Sequence, residues 1–232
     1  THMTRDDAFR TALPLAPVLP MVVFTAWLAM SLSGERRISV ERETADSARA
    51  VANNIDRELT AVVGTLNILG MSRNLQAGVL ARCRDDAERR VTTQSHWIAV
   101  VLSNPSGREV MNTRRPIAND PDPVFEGDRE SLTRAMKTGL PAVGALQPGP
   151  SPADAYFAVR VPVFEDVRLV YVLSAMISAG NIRDILIEQK LTGERFGVVV
   201  DPHGRILAHS GAHAQFVGKT SPFPLSPRAG PN

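Results

Sequence analysis

Arg160 stands in the middle of an apolar run, AYFAVRVPVF (155–164), four residues after Tyr156. Side chains of a strand alternate between faces, so Tyr156, Ala158 and Arg160 share one face while Phe157, Val159, Val161 and Val163 share the other. A guanidinium at mid-strand is costly unless it is paired or faces a ligand. Two chemistries would satisfy it. A carboxylate of the chain itself, from Asp122, Glu126 or Asp128, is one. An anionic ligand is the other, with Tyr156 and Trp97 as walls and Arg114 or Arg115 closing from a loop. Several arginines around a small cavity suit a small carboxylate or another anion. Ser103, ending the run WIAVVLS (97–103), and Tyr171, within VRLVYVLSAMI (167–177), complete the candidate ligand-binding set.

Other chemistries find little support. The chain contains no G-x-S-x-G, H-E-x-x-H or Walker sequence and no kinase signature, so no enzyme is expected. His203, His209 and His213 fall within eleven residues. The first sits in a turn and the second on a returning strand, so surface histidines are expected and not a metal site. No cofactor is expected. The net charge is +2, from 23 arginines, 3 lysines and 24 acidic residues, with no clustered basic run, which excludes a nucleic-acid footprint. Cys83 is the single cysteine, so no internal disulfide and no cysteine metal cage can form.

The elements that must position the candidate residues follow from hydrophobic period. From Ser39 to about Gly70, apolar residues Ala48, Val51, Ala52, Ile55, Leu59, Val62, Val63 and Leu66 recur at spacings of three and four, which predicts one long amphipathic helix. A second helix is predicted over 74–92, with Leu75, Val79, Cys83, Ala87 and Val91 on its packed face. The period then changes to two. Strands are predicted at 96–103 and 108–113, joined by the turn NPSGRE, and a loop rich in Arg, Pro, Asn and Asp follows. A short helix (128–139), three further strands (142–148, 155–164 and 167–177) and a helix (178–191) complete the pattern. Five antiparallel strands with helices on one face make an α+β domain. The apolar face of 155–164 is expected against the long helix.

Residues 12–33 carry no charge and are long enough, at ~1.5 Å per residue, to cross a ~30 Å hydrocarbon core. They read as a transmembrane anchor or a cleaved signal segment, with the rest of the chain exported. Thr1, His2 and Met3 read as a cloning remnant, and 221–232 as a proline-rich tail.

The turn NPSGRE at 104–109 has a counterpart 97 residues later, DPHGRI at 201–206, each flanked by apolar runs. In both, Asn or Asp opens the turn, Pro presets φ and Gly accepts a positive φ. The segment GVVVDPHGRILAHSGAHAQFVGKT (197–220) resembles the opening of the membrane-proximal module of alphaproteobacterial sensor histidine kinases. With the long helix and five strands before it, the region 35–220 resembles a double Cache domain, the PAS-like extracytoplasmic sensor of bacterial receptors.

The resemblance implies a long helix with a membrane-distal Cache module over 35–192. The start of a second, incomplete module follows over 193–220, in a chain expected to be a fragment, or a natural truncation, of a longer receptor. It implies a small-molecule ligand on the open sheet face, capped by the segment 114–153. It also implies a homodimer through the long helix, an inner-membrane anchor, a periplasmic sensor and a histidine kinase output. The amino-acid-binding branch of the family carries a Y-x-x-x-x-R-x-W signature that this chain lacks, so an amino-acid ligand is not expected. A ligand-independent dimerisation domain is the alternative.

Overall fold

The structure, a computed structural model, describes residues 18–115, 128–190 and 196–222, with side chains from Thr44 onward, Gln76 excepted. The chain divides into two compact units, residues 1–50 and 51–232. The described part of the first unit is helical, in the N-terminal part of helix α1 (Val18–Gly70). Residues 12–17 of the predicted anchor lie outside the described residues, as do the remnant at 1–3 and the tail from 223 onward, while 18–33 belong to helix α1. Among the described residues no helix is long and apolar enough to cross a membrane.

The second unit is α+β. Its sheet has the order β2-β1-β5-β4-β3, built from β1 (Trp97–Ser103), β2 (Glu109–Asn112), β3 (Ala142–Val143), β4 (Tyr156–Glu165) and β5 (Arg168–Ser178), all antiparallel. Alternation decides what each face meets. Phe157, Val159, Val161 and Val163 of β4 join Leu173, Ala175 and Ile177 of β5 in one core with Val62, Leu66 and Leu69 of α1. The apolar face of β4 therefore packs on the long helix, and the face with Ala158 and Arg160 looks the other way. Asn181 Nδ2 donates to Glu58 Oε1 at 3.1 Å, tying the later helix α5 (Ala179–Glu188) to α1.

The predicted helix 74–92 is two helices, α2 (Arg73–Gln76) and α3 (Leu80–Thr93). Gly78 separates them at φ 69°, a conformation open to glycine and incompatible with a continuing helix. Cys83 and Ala87 of α3 are buried in the α1 core. Burial, with Asp86 nearby, pushes the Cys83 thiol up to about 11, which keeps it protonated. Helix α4 (Arg129–Thr138) is capped by Asp128, whose side chain accepts from Ser131 N, and stopped by Gly139 at φ 66°.

The second hairpin forms a separate two-stranded sheet, β6 (Val198–Val200) with β7 (Ile206–His209). Its register repeats that of β1 and β2 at an offset of 97. Val101 pairs Asn112, Leu102 pairs Met111 and Ser103 pairs Glu109. Likewise Val198 pairs His209, Val199 pairs Ala208 and Val200 pairs Ile206, so the same irregularity falls at the same step. The turns match bond for bond: Asn104 N donates to Arg108 O at 2.9 Å, and Asp201 N to Arg205 O at 2.8 Å. Gly107 and Gly204 take φ 79° and 76°. The side-chain oxygen Oδ1 of Asn104 accepts from the amides of Ser106 and Arg108, and that of Asp201 from the amides of His203 and Arg205.

The two copies differ in what the first turn residue does beyond the turn. Asp201 is buried, and its second oxygen accepts from Leu146 N at 3.1 Å and from Arg205 Nε at 3.0 Å. Arg205 Nη2 in turn donates to Leu146 O. Both backbone groups of Leu146 are thus satisfied by the second hairpin. The next residue, Gln147, bridges to Tyr156 at the start of β4. A short helix, α6 (His213–Phe216), follows β7.

Candidate functional site

The face of the sheet turned away from α1 carries two adjoining features. The first is a buried polar cluster around Arg160, which is 1 % exposed. Arg160 Nε donates to Ser131 Oγ at 2.7 Å, Nη1 donates to Ser174 Oγ at 2.8 Å, and Nη2 donates to Asp128 O at 3.2 Å. Ser131 Oγ passes a hydrogen bond on to the Asp128 carboxylate, whose Oδ2 lies 3.9 Å from Nη2. Local sequence builds this arrangement. Asp128 and Ser131 are the cap and first turn of α4, and Ser174 is the cross-strand partner of Arg160 on β5. Gly144 leaves room for the Asp128 carboxylate, because a Cβ there would collide with Oδ2. Burial lowers the guanidinium to about 10, opposed by Asp128 and then Tyr156, so it stays charged at neutral pH.

The second feature is an open cleft of about 400 Å³, lined by Ile98, Ala99, Val101, Asn112, Arg114, Arg115, Tyr156 and Met176. Its floor is aliphatic, from the second core of Ala99, Val101, Ala158 and Met176 with Ile98 and Tyr156 packed beside it. Its polar wall follows β2. Asn112 Oδ1 accepts from Arg114 N at 3.0 Å, and Asn112 O accepts from Arg115 N at 3.2 Å, which turns the chain sharply and presents both arginines on the exposed rim. Burial raises the Tyr156 pKa, against the opposing pull of Arg160 and then Arg114, so the phenol is protonated and able to donate. No acidic residue is among the described residues lining the cleft.

Of the seven residues singled out in the sequence, the structure brings Tyr156, Arg114 and Arg115 together and places the other four elsewhere. Trp97 belongs to the core on the α1 side. The cause is a bulge: Trp97 pairs Ile177 while Ala99 pairs Met176, so Ile98 is an extra residue and strict alternation fails there. Ser103 is buried at the far end of β1, opposite Val172 and outside the cleft lining. Tyr171 packs against the α1-side core and lines a different groove near Gly70 and Phe164. Arg160 is enclosed by its own partners and does not reach the cleft. Asp128 supplies its counter-charge. Asp122 and Glu126 lie outside the described residues.

Asn112, Met176 and Ile98 line the cleft without having been singled out. Strand pairing gave a usable signal for Met176, which lies opposite Ala158 on the face of Tyr156. Ile98 reaches the cleft only through the bulge. Among the described residues no group of acidic, histidine or cysteine side chains has the arrangement of a metal site.

No protein-family model matches the chain, and no curated protein sequence matches it. Solved structures do resemble it. The ligand-binding domain of the Pseudomonas fluorescens chemoreceptor CtaA in complex with L-isoleucine aligns with a TM-score of 0.53 at 16% identity, over 74% of this chain and 68% of that one. The same domain in complex with L-valine gives 0.55 at 16%, over 74% of each chain. The ligand-binding domain of the Campylobacter jejuni chemoreceptor Tlp3 in complex with L-norvaline gives 0.53 at 10%, over 72% of this chain and 67% of that one. At such identities the likeness is one of fold. The chain has the helix and five-stranded antiparallel sheet of these ligand-binding domains.

Proposed function

We propose that the chain is the ligand-sensing part of a bacterial membrane receptor, taking a small aliphatic carboxylate in the cleft beside Tyr156. One observation carries this reading: an aliphatic floor of Ile98, Ala99, Val101 and Met176 faces a wall of Arg114, Arg115, Tyr156 and Asn112. A carboxylate head accepts hydrogen bonds from guanidinium, phenol and amide groups, and a branched hydrocarbon tail lies on the floor. The α-ammonium of an amino acid needs a carboxylate or carbonyl partner, and the described lining offers no acid. The chemoreceptor domains named above were solved with L-isoleucine, L-valine and L-norvaline; the ligand inferred here keeps their size and lacks their ammonium.

On this reading the sensor stands in the periplasm, anchored through residues 12–33. Two copies pair in parallel along α1, through the N-terminal half of its 39–70 segment, where Ala45, Ala48 and Ala52 permit close approach. The 97-residue repeat supports a double Cache organisation in which β6 and β7 open a second module. The output domain is a histidine kinase or a chemotaxis signalling domain.

A second reading, a ligand-independent spacer or dimerisation domain, is favoured by the complete internal pairing of Arg160. Thermal-shift measurements on the full chain with straight and branched monocarboxylates of two to five carbons separate the two. The sensor reading expects a rise in melting temperature for at least one acid. Uniform indifference across the series favours the spacer.

A further inference from the structure

His209 and His213 both use an imidazole nitrogen to accept a backbone amide. Gly211 N donates to His209 Nδ1 at 3.1 Å, and His209 N donates to His213 Nδ1 at 3.4 Å. The two bonds close the bend from β7 into α6, and both side chains are more than nine-tenths buried. His209 is also clasped between the rings of Phe196 and Phe216, each stacked at 4.9 Å. Only a neutral imidazole has an acceptor nitrogen, because protonation makes both ring nitrogens donors. We infer that His209 and His213 form an acid-sensitive latch, which holds the second hairpin closed at neutral pH and releases its C-terminal end when either ring is protonated.

The charged groups around the pair agree with this sign. From α5, Arg183 opposes a proton on His213 and Asp184 favours one. Asp184 is shared, since Arg183 Nη1 lies 3.6 Å from its Oδ1 and His96 Nε2 lies 3.6 Å from its Oδ2. The 3₁₀ turn Pro152–Asp154 carries Asp154, whose carboxylate accepts from Ser151 Oγ. Lys219 lies over the Phe216 ring at 5.6 Å, and Arg205 is bound to Asp201. Strand β6 is all valine. Burial, then Arg183 and His209, lowers the His213 pKa against the opposing Asp184. A group held below its unfolded value near ~6.5 contributes stability above that pH and loses it as the pH falls. With Nδ1 accepting, the proton of the neutral His213 ring is on Nε2, which is buried without a hydrogen-bond partner among the described residues, so no acceptor there stabilises the imidazolium form.

The test is amide hydrogen exchange on the full chain at pH 7.5, 6.5 and 5.5, with rates normalised to intrinsic exchange. Protection of 197–217 should fall about tenfold or more between pH 7.5 and 5.5, the scale expected for losing one to two net hydrogen bonds. Strands β1 and β5 should hold theirs. In a double variant His209→Asn and His213→Asn, whose amide oxygens accept without titrating, protection of 197–217 should be flat with pH. Constant protection in the wild type, or the same loss in the double variant, overturns the inference. If the double variant leaves 197–217 unprotected already at pH 7.5, the imidazole titration of the wild type followed by NMR decides. A midpoint matching the loss of protection supports the latch. A midpoint more than one pH unit away refutes it.

Discussion

Arg160 of β4 and Asp128 at the start of α4 meet across the sheet face away from α1, with Nη2 at 3.2 Å from the Asp128 carbonyl and 3.9 Å from its carboxylate. Ser131 stands between them and accepts from Nε. The guanidinium thus ties the start of α4 to the sheet.

Replacing Arg160 by Ala leaves Asp128 buried without its cation and should destabilise the ligand-free protein by about 3–5 kcal/mol. Chemical denaturation of the full chain measures this. A change below about 1 kcal/mol would show that the pair does not hold the fold. Arg160→Met, which keeps volume, should not recover the loss, because the Asp128 charge stays uncompensated.

Cys83 should react with thiol reagents only when the protein unfolds. Its thiol is 1 % exposed and raised to about 11, so at pH 8 only about a thousandth of it is thiolate. Rapid alkylation of the native protein at pH 8 would contradict its placement in the α1 core.

Asn104 and Asp201 invite a paired test. Asp201→Asn puts an amide where the carboxylate meets Leu146 N and Arg205, and should cost about 1–3 kcal/mol with lost protection in 197–209. Asn104→Asp keeps the oxygen that the first turn uses and sits where only turn bonds are made, so its effect should stay within about 0.5 kcal/mol. Equal effects at both positions would mean that the Leu146 contact contributes nothing.

Sedimentation of the full chain in detergent should give a dimer, and Ala48→Arg should shift it toward monomer. Ala45 and Ala48 are exposed in the single chain, which leaves them open to a second copy. A wild type that stays monomeric at high concentration would count against pairing along α1.

Alternation in β4 made the sheet faces legible from sequence, because Val159, Val161 and Arg160 follow the strand period without interruption. The repeated turn was legible too, since Pro, Gly and an opening Asn or Asp each impose a backbone angle locally. Trp97 was not, because a bulge is set by pairing with β5, and one extra residue reverses every side chain beyond it. The partner of Arg160 was legible only as a set of three carboxylates. What distinguishes Asp128 is its place as the cap of α4, within reach of Ser131 and beside the room left at Gly144. Asn112 carried no signal, since its role arises from the turn that its side chain and carbonyl build beneath Arg114 and Arg115.

The central claim is a carboxylate without an ammonium in the cleft beside Tyr156. Calorimetric titration of the full chain with 3-methylbutanoate and, separately, with L-valine tests it most directly, because the two differ only in the α-ammonium group. The account predicts saturable binding of 3-methylbutanoate, at least tenfold tighter than L-valine, and its loss in Arg114→Ala with the fold intact. A chain that binds L-valine and ignores 3-methylbutanoate, or that binds the acid equally well after Arg114→Ala, would contradict it.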